Sequence, residues 1–187
     1  MNKAQLYKAL DYVNHSREKR MEMAMLVSEN PNLTAPLLEV AFDDVDPISS
    51  KACWVMEFTA KENLPYLFPY LDRFTATIGS LKLDSSVRPM AKICEYLTNA
   101  YFIKNDPEVK QVLREKHLEE ITTACFDWLI GDHKVAPKAY AMTCLLLLGR
   151  KYDWIHPELQ LVLEQNYNSG SAAYKARARM TLEKIKR

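Results

Sequence analysis

Basic side chains recur at nearly constant spacing along this chain of 187 residues. Arg17, Lys51, Arg88 and Lys138 each precede a proline by 18 or 19 residues, and Lys175 follows Lys138 by 37. We call Lys51, Arg88, Lys138 and Lys175 the basic row. Cations at regular spacing can pair with carboxylates of the same chain or bind an acidic ligand. The spacing therefore indicates a repeated element with one cation in most units.

Both interpretations of the basic row are compatible with the sequence. In the first, its cations form a ladder of internal pairs with turn carbonyls and with Asp46, Asp84 and Asp132. Each exposed pair then stabilises the fold by about 0–1 kcal/mol. In the second, the row binds an acidic partner along one face of the protein. Neutralising Arg88 separates the two, because the ladder predicts a loss of stability with binding intact.

The end of the chain is strongly basic. Residues 171–187 contain six basic residues and one acidic residue, so this segment carries a formal charge of +5 and residues 1–170 sum to −4. An amphipathic helix here is expected to turn Ala173, Ala176 and Met180, with Leu182 or Ile185, toward the rest of the protein. Its cationic face would then either keep the terminal unit soluble or dock an acidic protein or a nucleic-acid backbone.

From the basic row and this terminal segment we predict a partner-binding surface. Its expected members are Arg88, Lys138, Lys175, Arg177 and Arg179.

Motifs of common enzymes and metal sites are absent from the sequence. It contains no GxGxxG, P-loop, HExxH or GxSxG pattern and no CxxC pair. His117 and Glu120 lie one helical turn apart, a pattern that is common on solvated helix faces. The acidic cluster of Asp43, Asp44 and Asp46 is expected to cap helix ends rather than to bind a metal. We therefore predict no enzymatic activity, no cofactor and no metal.

Composition bounds the class of protein. The chain is 48% apolar and 26% charged with a net charge of +1, a balance that disfavours a non-specific nucleic-acid binder. No apolar stretch approaches the roughly 20 residues of a membrane span. Residues 1–20 lack the apolar core of a secretory signal. The four cysteines are expected to be buried free thiols, and the expected location is the cytoplasm.

Apolar residues recur at helical spacing throughout, and no segment alternates with the period of a strand. Helices are predicted at 3–13, 16–29, 34–43, 49–61, 65–77, 86–103, 107–131 with a possible break near Glu115, 135–149, 155–167 and 172–185. Each of the four glycines falls at the end of such a run or in the gap after it. This placement is typical of helix ends at which glycine adopts a positive φ. Trp128 and Trp154 adjoin apolar segments and are expected in the core.

The sequence around three of the basic residues is similar. It reads Val87-Arg88-Pro89-Met90-Ala91, Pro137-Lys138-Ala139-Tyr140-Ala141 and Tyr174-Lys175-Ala176-Arg177-Ala178. With the preceding Asp84, the first of these resembles the second half of a HEAT or armadillo-like helical repeat. In those repeats a proline opens the first helix, and an Asp, Val-Arg and a small residue follow. The resemblance covers most of residues 16–187.

The resemblance implies an all-α fold, a short right-handed α-solenoid of about ten helices in about five pairs. We expect one domain over residues 1–187. Residues 1–13 would form an N-terminal capping helix and residues 171–187 a basic C-terminal capping helix. Leu6, Leu10 and Val13 would cover the end of the stack or form a dimer.

The favoured function is a non-enzymatic interaction module that binds a protein partner through a helical-repeat surface, with an acidic protein as one candidate. The alternative is a HEAT-like DNA-binding protein or DNA alkylation-repair glycosylase, with Trp54, Trp128, Trp154 and Asp127 as conceivable parts of its site. Its weakness is the low net charge, although a local basic surface stays compatible with nucleic acid. A small-molecule enzyme is a third possibility, which a deep, closed polar pocket would favour.

Overall fold

A computed structural model describes residues 1–45 and 47–186, and this part of the chain consists of helices and their connections, without a β-strand. It contains eleven α-helices: α1 (Lys3–Leu10), α2 (Arg17–Glu29), α3 (Thr34–Asp43), α4 (Pro47–Glu62), α5 (Leu71–Ile78), α6 (Asp84–Phe102), α7 (Pro107–Val112), α8 (Glu115–Ile130), α9 (Val135–Leu148), α10 (Ile155–Tyr167) and α11 (Ala172–Ile185). Two 3₁₀ segments, Pro31–Leu33 and Leu64–Tyr70, precede α3 and α5. The predicted all-α class is confirmed.

The eleventh helix results from a break at the position where the sequence suggested one. Asp106 caps α7 by accepting hydrogen bonds from the backbone N–H groups of Glu108 and Val109. At Leu113 the backbone turns out of the helical region, with φ −84° and ψ 86°, and α8 begins at Glu115. The predicted helix at 65–77 begins as a 3₁₀ segment that includes Pro69, which cannot donate to an α-helical hydrogen bond.

Gly79, Gly131 and Gly149 are C-cap residues, as predicted, but the expected positive φ is wrong. Within the described residues no glycine has a positive φ, and the left-handed positions are Asp44 and Asn105. At Gly149 the reason for glycine is space. A Cβ there would lie 2.0 Å from Cδ2 of His156, whose Nε2 is 2.9 Å from the Leu146 carbonyl oxygen.

The helices pack in an ordered series of contacts. The second helix α2 contacts α4, α4 contacts α6, α6 contacts α9, and α9 contacts α11. We call these five helices the α6 row. Similarly α1 contacts α3, α3 contacts α5, and α5 contacts α8, and we call these four the α8 row. The two rows join where α3 packs on α4 and α8 on α9, while α10 packs on α9 and α11.

The core lies between the rows. Cys53, Cys94, Cys125 and Cys144 are all free and buried in it, which confirms the expectation for the thiols. Leu6, Leu10 and Val13 are fully buried. The apolar face of α1 is therefore covered within the chain itself.

One expectation about orientation is wrong, and a second is confirmed only in part. Trp128 is buried, but Trp154 is 55% exposed and does not belong to the core. In α11 the buried residues are Tyr174, Ala178 and Thr181, whereas Met180 is 48% exposed. Leu182 and Ile185 do pack against the core, as expected. Both faces of α11 carry small or apolar residues at helical spacing. Burial of the large Tyr174 ring removes more apolar surface from water than burial of the alanines would.

None of the helices in residues 1–45 and 47–186 combines the length and apolarity that a membrane crossing requires.

Candidate cationic binding cleft

The α6 row carries charged side chains on helices that are otherwise largely buried. On α4, Glu57 lies within the apolar run Trp54-Val55-Met56 and Phe58. On α6, the charged or polar residues Arg88, Lys92, Glu95 and Tyr96 follow one another at intervals of four, three and one. Lys92, Glu95 and Tyr96 thus lie four, seven and eight residues after Arg88, and residues at these separations share one face of a helix. The helices of this row therefore present a polar surface away from the core.

Glu57 and Arg88 form the ion pair at the centre of this surface. An Arg88 Nη2 atom donates to Oε2 of Glu57 at 2.6 Å, across α4 and α6. Burial raises the pKa of the Glu57 carboxyl, and the nearby charges of Arg88, Arg20 and Lys92 act in the opposite direction. Burial and the charge of Arg88 lower the pKa of Arg20. Three cations therefore surround one buried carboxylate.

Trp54 is a platform for Arg20. The guanidinium carbon lies 4.5 Å from the indole centroid, and the His15 ring lies 5.0 Å from the same indole. The indole Nε1 donates to the Ser85 carbonyl oxygen at 2.9 Å. That carbonyl lacks its ordinary helical partner because the residue four positions later is Pro89, which has no N–H. Pro89 thus leaves the Ser85 carbonyl oxygen free to accept the hydrogen bond that orients the Trp54 ring.

Next to this pair lies a cleft of about 470 Å³ across α4, α6, α9 and α11. We call it the cationic cleft. Its charged lining residues are Glu95 and five cations: Lys61, Lys92, Lys104, Arg177 and Lys184. Their formal sum is +4. Lys104 and Lys184 form no ion pair within the described residues.

Glu95 contacts two cations of the cleft, one on its own helix and one on α11. Lys92 pairs with it on the same helix, and Nη2 of Arg177 lies 3.8 Å from its Oε1. Arg177 also donates to the Ala139 carbonyl oxygen at 3.4 Å and to Oγ1 of Thr143 at 3.2 Å, which holds α11 against α9. These contacts set the position of the guanidinium before any ligand binds.

Two aromatic rings contact the ammonium group of Lys92, which lines the cleft. The Lys92 ammonium lies 4.6 Å from the Tyr140 centroid and 5.2 Å from that of Tyr96, within the range of cation–π attraction. Burial, followed by the charge of Glu57, raises the pKa of Tyr96 to about 12. The Tyr96 hydroxyl is therefore neutral at physiological pH and can donate a hydrogen bond to an anion.

The predicted partner-binding residues separate into three groups. Arg177 lines the cationic cleft, and Arg88 lies one helical turn before Lys92 on the same surface. Lys138 and Lys175 are half-buried and do not line the cleft. Arg179 is exposed and lines a different cleft, beside Glu164 and Glu183 between α10 and α11.

The expected carboxylate partners of the ladder differ from those in the structure, whereas Lys51 does bind a turn carbonyl, as expected. Arg88 pairs with Glu57, whereas Asp84 accepts the Nδ1 contact of His133 at 3.0 Å. Lys51 donates to the backbone and side-chain oxygens of Asp11. Asp46 lies outside the described residues. The pairs that form join neighbouring helices of the stack rather than residues close in sequence, because helix packing brings distant side chains together.

His117, which the sequence predicted beside Glu120, contacts a different carboxylate. His117 is buried, and its Nε2 lies 2.9 Å from Oδ1 of Asp72 on α5, not beside Glu120. Its Nδ1 accepts the backbone N–H of Arg114. Hydrogen bonds from His117, then the charges of Arg114 and Lys116, lower the pKa of Asp72. The pair joins α5 to the start of α8.

No metal-binding cluster of His, Cys, Asp or Glu occurs in the part of the chain that the structure describes.

Sequence reasoning missed Glu57, Lys92 and Glu95. Such residues can be recognised as charged positions with apolar sequence neighbours inside a helix. A charge there predicts an ion-pair partner, because charges are rarely buried without one. Lys61 and Lys104 carry no such signal, because lysines are common near helix ends.

No family model matches the chain, and neither a curated protein nor a solved structure is detectably similar to it. The function therefore has to be inferred from the geometry of the cationic cleft and the surface around it.

Proposed function

We propose that this protein is a short right-handed α-solenoid of HEAT-like helix pairs that binds an acidic segment of a partner protein, without catalysis. The segment lies in the cationic cleft and continues along the α6 row toward Arg88.

The order of helix contacts supports the solenoid part of the proposal. Each helix of the α6 row contacts the next helix of that row, in chain order, and the α8 row shows the same pattern. A solenoid has this pattern because each repeat contacts only its neighbours. The second helices of the pairs would then form one continuous surface, the arrangement that solenoids use for extended ligands.

One observation carries the binding part of the proposal. Five cations and one carboxylate line a single cleft, although the whole chain has a net charge of only +1. Cations that repel one another at close range are costly to the isolated protein, and an anionic ligand relieves that repulsion. The internal pairs of Glu57 and Glu95 compensate only part of the charge and hold Arg88 and Arg177 in place.

A protein segment fits this surface better than a nucleic acid. Glu57 and Glu95 lie within the surface and would repel a continuous phosphate backbone. An acidic peptide places its carboxylates singly and can alternate them with amides that bond Asn99 and Thr143, which also line the cleft.

The proposal is tested with a fluorescein-labelled peptide of alternating glutamate and serine, followed by fluorescence anisotropy. Substituting Lys61→Gln, Lys104→Gln and Lys184→Gln together should weaken its binding by about tenfold, since each exposed pair contributes about 0.2–1 kcal/mol. The matched control removes three charges at exposed positions outside the cleft, as Lys8→Gln, Lys134→Gln and Arg150→Gln. The control should bind the peptide like the wild-type protein.

Two outcomes would contradict the proposal. One is equal loss of peptide binding in the two triple variants, which would mean that only total charge matters. The other is a labelled DNA duplex that binds more tightly than the peptide and is weakened by the cleft variant alone. The second outcome would replace the protein partner with the DNA-binding alternative.

A further inference from the structure

Another cleft, of about 490 Å³, lies on the α8 row and has a charge opposite to that of the cationic cleft. Glu119, Thr123, Phe126 and Asp127 of α8 line one side, and the loop before α10 adds Trp154, with Thr122 and Tyr152 completing the lining. The Trp154 ring stacks on Phe126 with centroids 5.7 Å apart and an interplanar angle of 21°. Trp154 nevertheless leaves 55% of its surface exposed. We call this site the Trp154 cleft.

The charged groups of the Trp154 cleft are uncompensated carboxylates. Glu119 and Asp127 are exposed and form no ion pair with any residue in 1–45 or 47–186. Lys151, which precedes the lining residue Tyr152, already pairs with Glu115 at 2.6 Å, and the Tyr152 hydroxyl donates to the same carboxylate. Burial and the charges of Glu115 and Glu119 raise the pKa of Tyr152. The local potential is therefore negative.

We propose that the Trp154 cleft binds an arginine side chain of a basic segment in a partner protein. A guanidinium is planar and can stack on the exposed indole face while its N–H groups reach carboxylates. Glu119 and Asp127 lie eight residues apart on α8, about 12 Å along the helix axis, so the guanidinium forks onto one carboxylate and the second adds to the negative charge of the cleft. The cleft volume lies within the roughly 300–1,000 Å³ of ligand-binding clefts.

The same cleft excludes an anionic ligand. Trp154 and Asp127, two of the conceivable site residues in the DNA-repair alternative, do lie together here. However, the carboxylates beside them repel phosphate, and the cationic cleft lies on other helices. This site does not depend on the acidic-peptide proposal, because the two clefts share no residue.

The test compares two fluorescein-labelled glycine–serine peptides that differ at one position, one with arginine and one with its neutral isostere citrulline. The wild-type protein should bind the arginine peptide at least about tenfold more tightly, since charge-assisted hydrogen bonds are lost in the citrulline peptide. The double variant Glu119→Gln with Asp127→Asn should abolish this preference. Trp154→Ala should weaken the arginine peptide about two- to fivefold through loss of the cation–π contact.

A matched control carries Glu29→Gln and Glu108→Gln, two exposed acidic residues outside the cleft. It should keep the preference for arginine. Equal binding of the two peptides to the wild-type protein, or an unchanged preference in the Glu119 and Asp127 variant, would overturn the proposal. The acidic peptide of the first experiment serves as the independent reference, because its binding should not fall in this variant.

Discussion

The Glu57 side chain shows how a single charged residue is accommodated in this fold. It is only 8% exposed, yet it lies on a surface that carries Arg88 and Arg20. The structure therefore keeps one carboxylate at a site where burial disfavours its charge. The free-energy cost of moving a carboxylate from water into the protein is only partly compensated by its ion pair. Its raised pKa is the measurable sign of this conflict.

This conflict predicts a specific pH dependence of stability. As the pH rises above 4.5, the ordinary pKa of the group, the unfolded chain releases the Glu57 proton before the folded protein does. The folded state then binds more protons than the unfolded state, so the free energy of unfolding falls until the pH passes the raised pKa. Glu57→Gln lacks this titration, and its stability relative to wild type should increase across that window.

Urea unfolding of both proteins at a series of pH values measures the effect. Glu62→Gln, an exposed change on the same helix, should follow the wild-type profile. Parallel profiles for wild type and Glu57→Gln would show that the buried carboxyl does not titrate differently in the two states.

At the scale of a helix, the sequence predicted where several helices end. It predicted only in part why glycine occurs at those ends. The C-cap glycines do mark the ends of α5, α8 and α9. Their backbone angles are ordinary, so the advantage of glycine differs from site to site. Gly79 has φ −70° and room for a Cβ, whose nearest neighbour would be Ala124 at 3.7 Å. Gly149 has no such room beside His156.

Alanine at these two positions should therefore have opposite effects. Gly149→Ala should lower the free energy of unfolding by about 1–3 kcal/mol, because the new Cβ overlaps the His156 ring and displaces it from the Leu146 carbonyl. Gly79→Ala should raise it by about 0.4–1 kcal/mol, because it restricts the unfolded chain without strain in the folded one. Thermal or urea unfolding of the pair decides the matter, and destabilisation of equal size at both sites would refute the argument.

The orientation of a helix was harder to predict than its length. In α11 the spacing of Ala173, Ala176 and Met180 is helical, but the packed face holds Tyr174 and Ala178 instead. When a helix carries small residues on two faces, its own sequence does not strongly favour burial of either face. The contact of Arg177 with α9 belongs to the face that packs.

At the scale of the whole molecule, α6 connects the two halves of its row. It contacts both α4 and α9, and Leu97 in its second half is fully buried. A cavity at this position is therefore expected to affect the packing of both neighbours. The two clefts lie on different rows and have opposite charges, so their separation depends on this packing.

Leu97→Ala should accordingly destabilise the entire protein by about 2–5 kcal/mol. Far-UV circular dichroism and tryptophan fluorescence should report the same lowered urea midpoint, because the probes Trp54, Trp128 and Trp154 lie on both sides of α6 along the chain. The same substitution at the half-exposed Leu161 of α10 should cost less than about 1 kcal/mol. Separate midpoints for the two probes would show that the halves unfold independently.

The sequence by itself determined the helical class, nearly all helix positions and the burial of the four thiols, because hydrophobic periodicity, proline and capping residues act over a few neighbours. It also singled out Arg88 and Arg177, which lie on the polar surface of the α6 row. Only the tertiary structure decided that Arg88 pairs with Glu57 and that Trp154 faces solvent. It also brought charges from α4, α6 and α11 into one cleft. The partner of a charge and the exposed face of a helix depend on how distant helices rotate against each other, and local spacing carries little information about that rotation.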